Sequence, residues 1–221
     1  MRSGSGSFFG FERHELESNV TPKNVPDPLA RRETLMILEG IVTTLNADGS
    51  ANISPMGPRV AERFETLLLR PYQTSTTYAN LKRSGEGVFH VVDDVLLLAQ
   101  AAIDRLDPLP ALVQCEAVAG VILADACRWY AFRVRSIDER QPRTEIVADV
   151  IDHGRQRDFF GFNRAKHAVV EAAILATRLA LLPRAEIEAE FSRLAIMVEK
   201  TGGPREHQAF EMLRNHVRTA L

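Results

Sequence analysis

Two short stretches concentrate the groups best able to hold a small ligand. In Asn52-Ile53-Ser54-Pro55-Met56-Gly57-Pro58, an amide and a hydroxyl lead into backbone that Pro and Gly keep smooth, a surface on which a flat ring can lie. The second stretch, Thr74-Ser75-Thr76-Thr77, follows the apolar Leu67-Leu68-Leu69 and sets four hydroxyls at the expected start of a helix. A helix N-terminus carries unpaired N–H groups and a partial positive charge, so hydroxyls there add donors for phosphate oxygens. The competing reading is a helix cap. A cap needs one Ser or Thr, which leaves three hydroxyls over and favours an anion.

Two sources of positive charge suit such an anion. Arg59 and Arg70 stand at ends of strands expected to flank the site, and the planar guanidinium fork matches phosphate; a solvated strand edge is the alternative. The second source is Arg164-Ala165-Lys166-His167, directly after a plausible cap, Asn163. Cations at a helix start oppose the dipole by about 0.3–1 kcal/mol each, so either an anionic ligand or a carboxylate such as Asp158 is expected beside them. His167 and Glu171 share a helical face, but two ligands do not make a metal centre, and an i,i+4 ion pair explains them; no metal is expected. His90, within Val88-Phe89-His90-Val91-Val92, reads better as a satisfied core histidine than as a group beside the ligand.

The elements that must position these residues follow from periodicity and turn chemistry. Residues 1–33 mix Gly, Ser and charges with Pro22, Pro26 and Pro28, and read as an extended arm. Apolar, β-branched residues 35–45, the turn Asn46-Ala47-Asp48-Gly49-Ser50 and a strand from Ala51 predict a hairpin. Further strands are expected over 63–70, 87–92, 113–123, 129–138 and 144–152. Short helices are expected over 77–83, stopped by Gly85, and from a cap at Asp93 or Asp94 through Ala102. From Phe160 the period changes to helical, giving helices over 165–182, 184–200 and 204–221. Segregated strands and helices indicate an α+β protein, its antiparallel strands most economically closed as a barrel, with a C-terminal three-helix subdomain.

Composition narrows the function classes. A chain of 221 residues can bury a substantial core unaided, and a formal charge of -2 argues against a nucleic-acid partner, which demands a basic excess. The two cysteines, Cys115 and Cys127, form neither a C-x-x-C pair nor a secreted scaffold, so a reducing cytoplasm is expected. No apolar run is long enough to span a bilayer, and no membrane partner is expected. The segment Gly4-Ser5-Gly6-Ser7-Phe8-Phe9-Gly10 imitates a dinucleotide loop, but its third Gly is one place late and no strand precedes it.

Four motifs together carry a resemblance: Glu39-Gly40-Ile41-Val42-Thr43-Thr44; Asn52-Ile53-Ser54-Pro55-Met56-Gly57; Leu69-Arg70-Pro71-Tyr72-Gln73-Thr74-Ser75-Thr76-Thr77-Tyr78-Ala79-Asn80-Leu81; and Gly161-Phe162-Asn163-Arg164-Ala165-Lys166-His167. Over residues 34–182 the chain resembles a family of archaeal and bacterial proteins with the flavin-reductase-like, FMN-binding split barrel. The resemblance implies a barrel over 34–158 and a helical subdomain over 159–221, with FMN near the interface of a homodimer; the arm over 1–33 finds no support in it. Combined with the residue reading, it puts Asn52, Ser54, Pro55, Met56 and Gly57 at the ring and Thr74, Ser75, Thr76 and Thr77 at the phosphate, with Arg59 and Arg70 as candidate charge; Asn163, Arg164, Lys166 and His167 are a substrate or anion candidate read from the residues alone. The resemblance leaves the reaction unsettled; the expected activity is an oxidoreductase passing hydride or electrons between a reduced donor, such as a nicotinamide, and a small acceptor. A module that binds FMN without turnover is the alternative. More distantly, the order of elements is similar to pyridoxamine phosphate oxidase, whose phosphate loop uses Ser, Arg and Lys. This chain lacks the basic pair there, which leaves open where the compensating charge comes from.

Overall fold

The structure is a computed structural model that describes residues 35–220, so the expected N-terminal arm lies outside the described residues. In chain order the elements are β1 (Met36–Ile37), β2 (Gly40–Leu45), β3 (Ala51–Met56), β4 (Arg59–Val60), β5 (Thr66–Leu69), α1 (Thr76–Ser84), β6 (Glu86–Val91), α2 (Val95–Ala102), β7 (Leu112–Cys115), β8 (Gly120–Leu123), β9 (Arg128–Asp138), β10 (Glu145–Arg155), α3 (Arg164–Ala176), α4 (Arg184–Thr201) and α5 (Pro204–Ala220). Eight strands form one curled antiparallel sheet in the order β1-β4-β5-β10-β9-β6-β2-β3. Strands β9 and β10 are its long central pair, and two register shifts, at Val147/Ala148 and Val150/Asp152, add the local twist that lets the sheet roll. The fold is thus the expected α+β split barrel, with β1 and β3 at its edges.

Inward-facing Val42, Leu67, Leu69, Phe89, Phe132 and Ile146 fill the barrel, closed by Tyr78 and Leu81 of α1. Gly40 permits the closest approach of β2 to β6, because a Cβ there would lie 2.3 Å from the carbonyl oxygen of His90. The second core joins α3, α4 and α5 to α2. Five buried alanines on α3, at 165, 168, 172, 173 and 176, let its neighbours approach closely, while Phe191 and Phe210 supply the bulk. The three C-terminal helices expected from the sequence are present, and α2, inserted between barrel strands, packs with them as a fourth.

Three boundaries differ from expectation. The stretch 113–123 is not one strand but the hairpin β7–β8, whose turn is fastened by the Ala119 amide donating to Glu86 Oε2 at 2.8 Å. The strand expected from Arg63 starts at Thr66, and the helix expected to run to Leu182 stops at Ala176. Thr177 there bonds Ile174 O at 2.8 Å through its hydroxyl, a local alternative to continuing the helix. Of the two candidate caps for α2, Asp94 does the capping, accepting from the amides of Leu96 and Leu97.

Asp93 is turned instead to the joint between barrel and helices. Its carboxylate receives Arg157 Nη2 at 2.5 Å and the Phe160 amide at 2.7 Å. Burial alone would raise its pKa, but these bonds and the charges of Arg157 and Lys166 hold it down to about 2. His90 is fully buried, as expected for a core histidine. The Leu123 amide donates to its Nε2 at 3.1 Å, so the ring proton sits on Nδ1, 3.2 Å from Ile41 O. The imidazole thereby ties β8 to β2 in its neutral form, and burial pushes its pKa down to about 4.

Candidate functional site

A cavity of about 550 Å³ opens where the end of β3, the start of α1 and the helices α2 and α3 meet, within the range of roughly 300–1,000 Å³ usual for small-molecule sites. One wall is Ser54, Pro55, Met56 and Gly57. Because β3 is an edge strand paired only with β2, Pro55 withdraws no amide from the sheet's interior. Gly57 has Glu39 directly above it: an added Cβ would come 2.7 Å from Glu39 Oε1. Burial raises the pKa of Glu39, the charge of Glu171 raises it further, and Arg143 and Arg178 oppose both.

The second wall is the start of α1. Ser75 is its N-cap, and its hydroxyl is committed twice, accepting from the Tyr78 amide at 3.2 Å and donating to Tyr72 O at 2.8 Å. That cap satisfies the third helical amide, leaving those of Thr76 and Thr77 as the orphan donors of a helix start. Thr77 Oγ1 accepts from Asn52 Nδ2 at 3.0 Å, and Asn52 and Asn80 both donate to buried Thr44 Oγ1. Asn52 therefore positions the helix start from behind; it does not line the cavity.

Positive charge reaches this wall from two arginines. Arg70 follows β5, and its Nε is buried without a hydrogen-bond partner, although Glu145 Oε1 lies 3.4 Å away. Arg143 comes from the β9–β10 turn, which is lashed to the loop before α1: Gln73 N donates to Pro142 O at 3.0 Å, Thr144 N to Pro71 O at 2.9 Å, and Arg143 Nε to Arg70 O at 3.0 Å. Its guanidinium lies over the Tyr72 ring, 5.7 Å from the centroid. This pair is the positive charge absent from the Thr-rich loop itself.

The structure thus brings Ser54, Pro55, Met56, Gly57, Arg70, Ser75 and Thr77 to one cavity. Thr74 and Thr76 are exposed beside the helix start, and Arg59 sits in β4 opposite Leu68, away from the cavity lining. The cluster at the start of α3 is also elsewhere. Asn163 is indeed a cap, accepting from the amides of Ala165 and Lys166, but Lys166 turns inward to Glu206 at 3.0 Å and Asp93 O at 2.6 Å. Burial would raise the pKa of Glu206, yet Lys166 and the Gly203 amide hold it down. Glu206, and not Asp158, resolves the conflict with the helix dipole; Asp158 pairs with Arg155 at 3.0 Å. His167 stacks on Phe162, and Arg164 is exposed. Cavity residues that sequence reasoning missed are Glu39, Tyr72, Asp104, Arg143, Thr177 and Arg178, of which Glu39 and Tyr72 lay in quoted motifs without a role.

The rolled antiparallel sheet, the helix start at its open edge and the arginine-lined cavity between them define a split-barrel protein of the flavin-reductase-like type. The chain belongs to the DUF447 family of proteins of unknown function, matching its N-terminal domain over residues 38–157 and its C-terminal part over 163–215. Among solved structures it is similar to an FMN-bound member of the same family from Methanosarcina mazei, with a TM-score of 0.69 at 23% identity, covering 84% of this chain and 96% of that one. The styrene monooxygenase flavin reductase of Pseudomonas putida S12 matches with a TM-score of 0.48 at 14% identity, over 55% of this chain and 82% of that one. No protein in the curated comparison matches.

Proposed function

We propose that this cavity binds FMN and that the protein is an FMN-dependent oxidoreductase, passing hydride or electrons from a reduced donor of the nicotinamide type to a small acceptor. The observation that carries the reading is the Nε of Arg70 beside a helix start, buried without a hydrogen bond although Glu145 lies 3.4 Å away. An orphaned guanidinium nitrogen is costly in an empty site and is satisfied by a phosphate. Arg143 and the α1 amides add donors from two further directions, and Ser54 to Gly57 offer the flat wall. The donor set therefore fits a phosphate-bearing planar cofactor. FMN bound there supplies a ring able to accept and return an electron pair; the chain supplies orientation, charge and partial exclusion of water. The FMN-bound family member from Methanosarcina mazei supports the assignment.

The same reading includes a two-fold dimer in the cytoplasm. Met36 and Ile37, more than half exposed on edge strand β1, support the dimer, since Ile37 also lines the cavity and a partner seated there would cover both. Unpaired Cys115 and Cys127 suit a reducing compartment. Among the described residues no helix is long and apolar enough to cross a membrane. The decisive test is the visible spectrum of the protein as isolated, followed by FMN titration: a flavin spectrum and saturable uptake are expected, and failure of both defeats the assignment. Steady-state NADH or NADPH oxidation with an added acceptor separates the enzyme from a module that only holds FMN, and light scattering at micromolar concentration tests the dimer.

A further inference from the structure

The helical side of the cavity is apolar except at one end. Leu98 and Ala101 of α2 and Val170, Ala173 and Ile174 of α3 face it, and past the early stop of α3 come Thr177, Arg178 and Leu181. The segment after α3 is a fixed turn: Arg178 N donates to Leu175 O at 2.9 Å, and Arg178 O accepts from the amides of Leu181 and Leu182 at 2.9 and 3.2 Å. Arg178 is exposed to the cavity and, among the described residues, makes no ion pair. Carboxylates are close enough to matter without neutralising it: Asp104 lines the same cavity, and the charge of Arg178 is felt by Glu39. A free guanidinium fork thus ends the apolar helical wall of the cavity.

We propose that Arg178 and the Ile174–Leu181 wall form a second ligand subsite, which takes a small monocarboxylate on an apolar, aromatic body as the acceptor. The fork binds the carboxylate in a bidentate pair, while Ile174 and Leu181 cover the body. Asp104, which lines the same cavity, and Glu39, which feels the charge of Arg178, disfavour polyanions such as a pyrophosphate, so the subsite selects the acceptor and not a nucleotide donor. This deepens the proposed function, because it takes the wall from Ser54 to Gly57 and the α1 start as the FMN site.

The probes are benzoate and its neutral isostere benzamide, titrated calorimetrically into wild-type protein and Arg178→Gln, each with and without FMN. Benzoate should bind the wild type at least about tenfold tighter than benzamide, and Arg178→Gln should erase that preference while leaving benzamide and FMN affinity unchanged. In the FMN-loaded protein benzoate should also shift the flavin absorbance. Arg178→Lys should recover part of the preference, since it restores the charge without the fork. Equal affinities for the two probes, no measurable benzoate binding by the wild type, or benzoate binding indifferent to Arg178→Gln overturns the subsite. If the protein takes up no FMN, the proposed function fails, and the comparison in flavin-free protein still decides the role of Arg178.

Discussion

Replacing Arg70 by Met separates a ligand-binding arginine from a structural one, because the two roles move stability and affinity in different directions. The side chain is one-third exposed, and the carboxylate it pairs with among the described residues, Glu145, is half exposed at 3.4 Å from Nε. A pair this open contributes about 0–1 kcal/mol, whereas a buried, unsatisfied nitrogen costs roughly 1–3 kcal/mol in the ligand-free protein. The Met side chain keeps the apolar stem and removes the orphan, so the flavin-free protein should be unchanged or stabilised by about 1 kcal/mol, a rise in Tm of about 2–4 °C for a chain of this size. FMN affinity should fall. One charge-assisted hydrogen bond of about 1.5–3 kcal/mol corresponds to a loss of one to two decades. Riboflavin, which has no phosphate, should bind equally to both proteins. The assay is quenching of flavin fluorescence on titration with each ligand, with thermal melts of flavin-free protein alongside. Arg59→Met is the control and should change neither affinity. Equal losses for FMN and riboflavin, or a lowered Tm without ligand, would refute the phosphate assignment. Ser75→Ala is a poorer probe, since its hydroxyl already holds the start of α1 at both ends.

Further outcomes follow from the charged and buried groups. His90 is neutral when folded and titrates at about 4 against an ordinary 6.5, so its contribution is intact above 6.5 and is lost as the pH falls through 4. Urea unfolding at about pH 7.5 and about pH 4.5 should show a loss of about 2–3 kcal/mol from this group, and His90→Gln should flatten that dependence. Asp93→Asn removes the charge that Arg157 and Lys166 face at the joint between barrel and helices, and should destabilise by about 1–3 kcal/mol in chemical denaturation, given that Asp93 is buried while Arg157 is one-third exposed. Because Arg143 and Arg178 lower the raised pKa of Glu39 while Glu171 and burial raise it, a carboxylate seated on Arg178 cancels part of the lowering. Benzoate binding should then take up protons above pH 4.5, the ordinary value for Glu39, and calorimetry in buffers of different ionisation enthalpy should detect it, with Glu39→Gln abolishing the uptake.

Much of this fold is legible locally. The β2–β3 hairpin, the Gly85 stop of α1 at φ 71°, and the caps Asp94 and Asn163 all use chemistry confined to a few neighbouring residues. The failures have different causes. The β7–β8 turn over Glu116 to Ala119 contains no Pro, Asn or Gly signal, and what fixes it is Glu86, 33 residues earlier. The end of α3 is decided locally, by the Thr177 hydroxyl on Ile174 O, but Thr177 is tolerated in helices and Pro183 offers a more obvious stop. Where the deciding partner is distant in sequence, periodicity runs past the boundary.

The site divides along the same line. Ser54 to Gly57 and the α1 start are contiguous motifs, and the structure does set them in one cavity. Charge is different, because any surface arginine satisfies a sequence pattern and only the chain path decides which one arrives. Arg164 and Lys166 looked strained at a helix start, yet Lys166 is answered by Glu206, forty residues on, through the packing of α3 on α5. Arg143 sits in an unremarkable turn and becomes a cavity residue because Pro142 O, Thr144 N and Gln73 N stitch that turn to the loop before α1. The chain thus delivers cations to the helix start through a long-range backbone contact, not through a basic motif in the loop. A Gln73→Pro substitution tests that route, since it removes the amide that bonds Pro142 O without touching any charge. It should lower FMN affinity as Arg143→Met does and leave riboflavin affinity as it was. If Arg143→Met weakens FMN while Gln73→Pro leaves it unchanged in a folded protein, the turn does not depend on this contact to place its arginine.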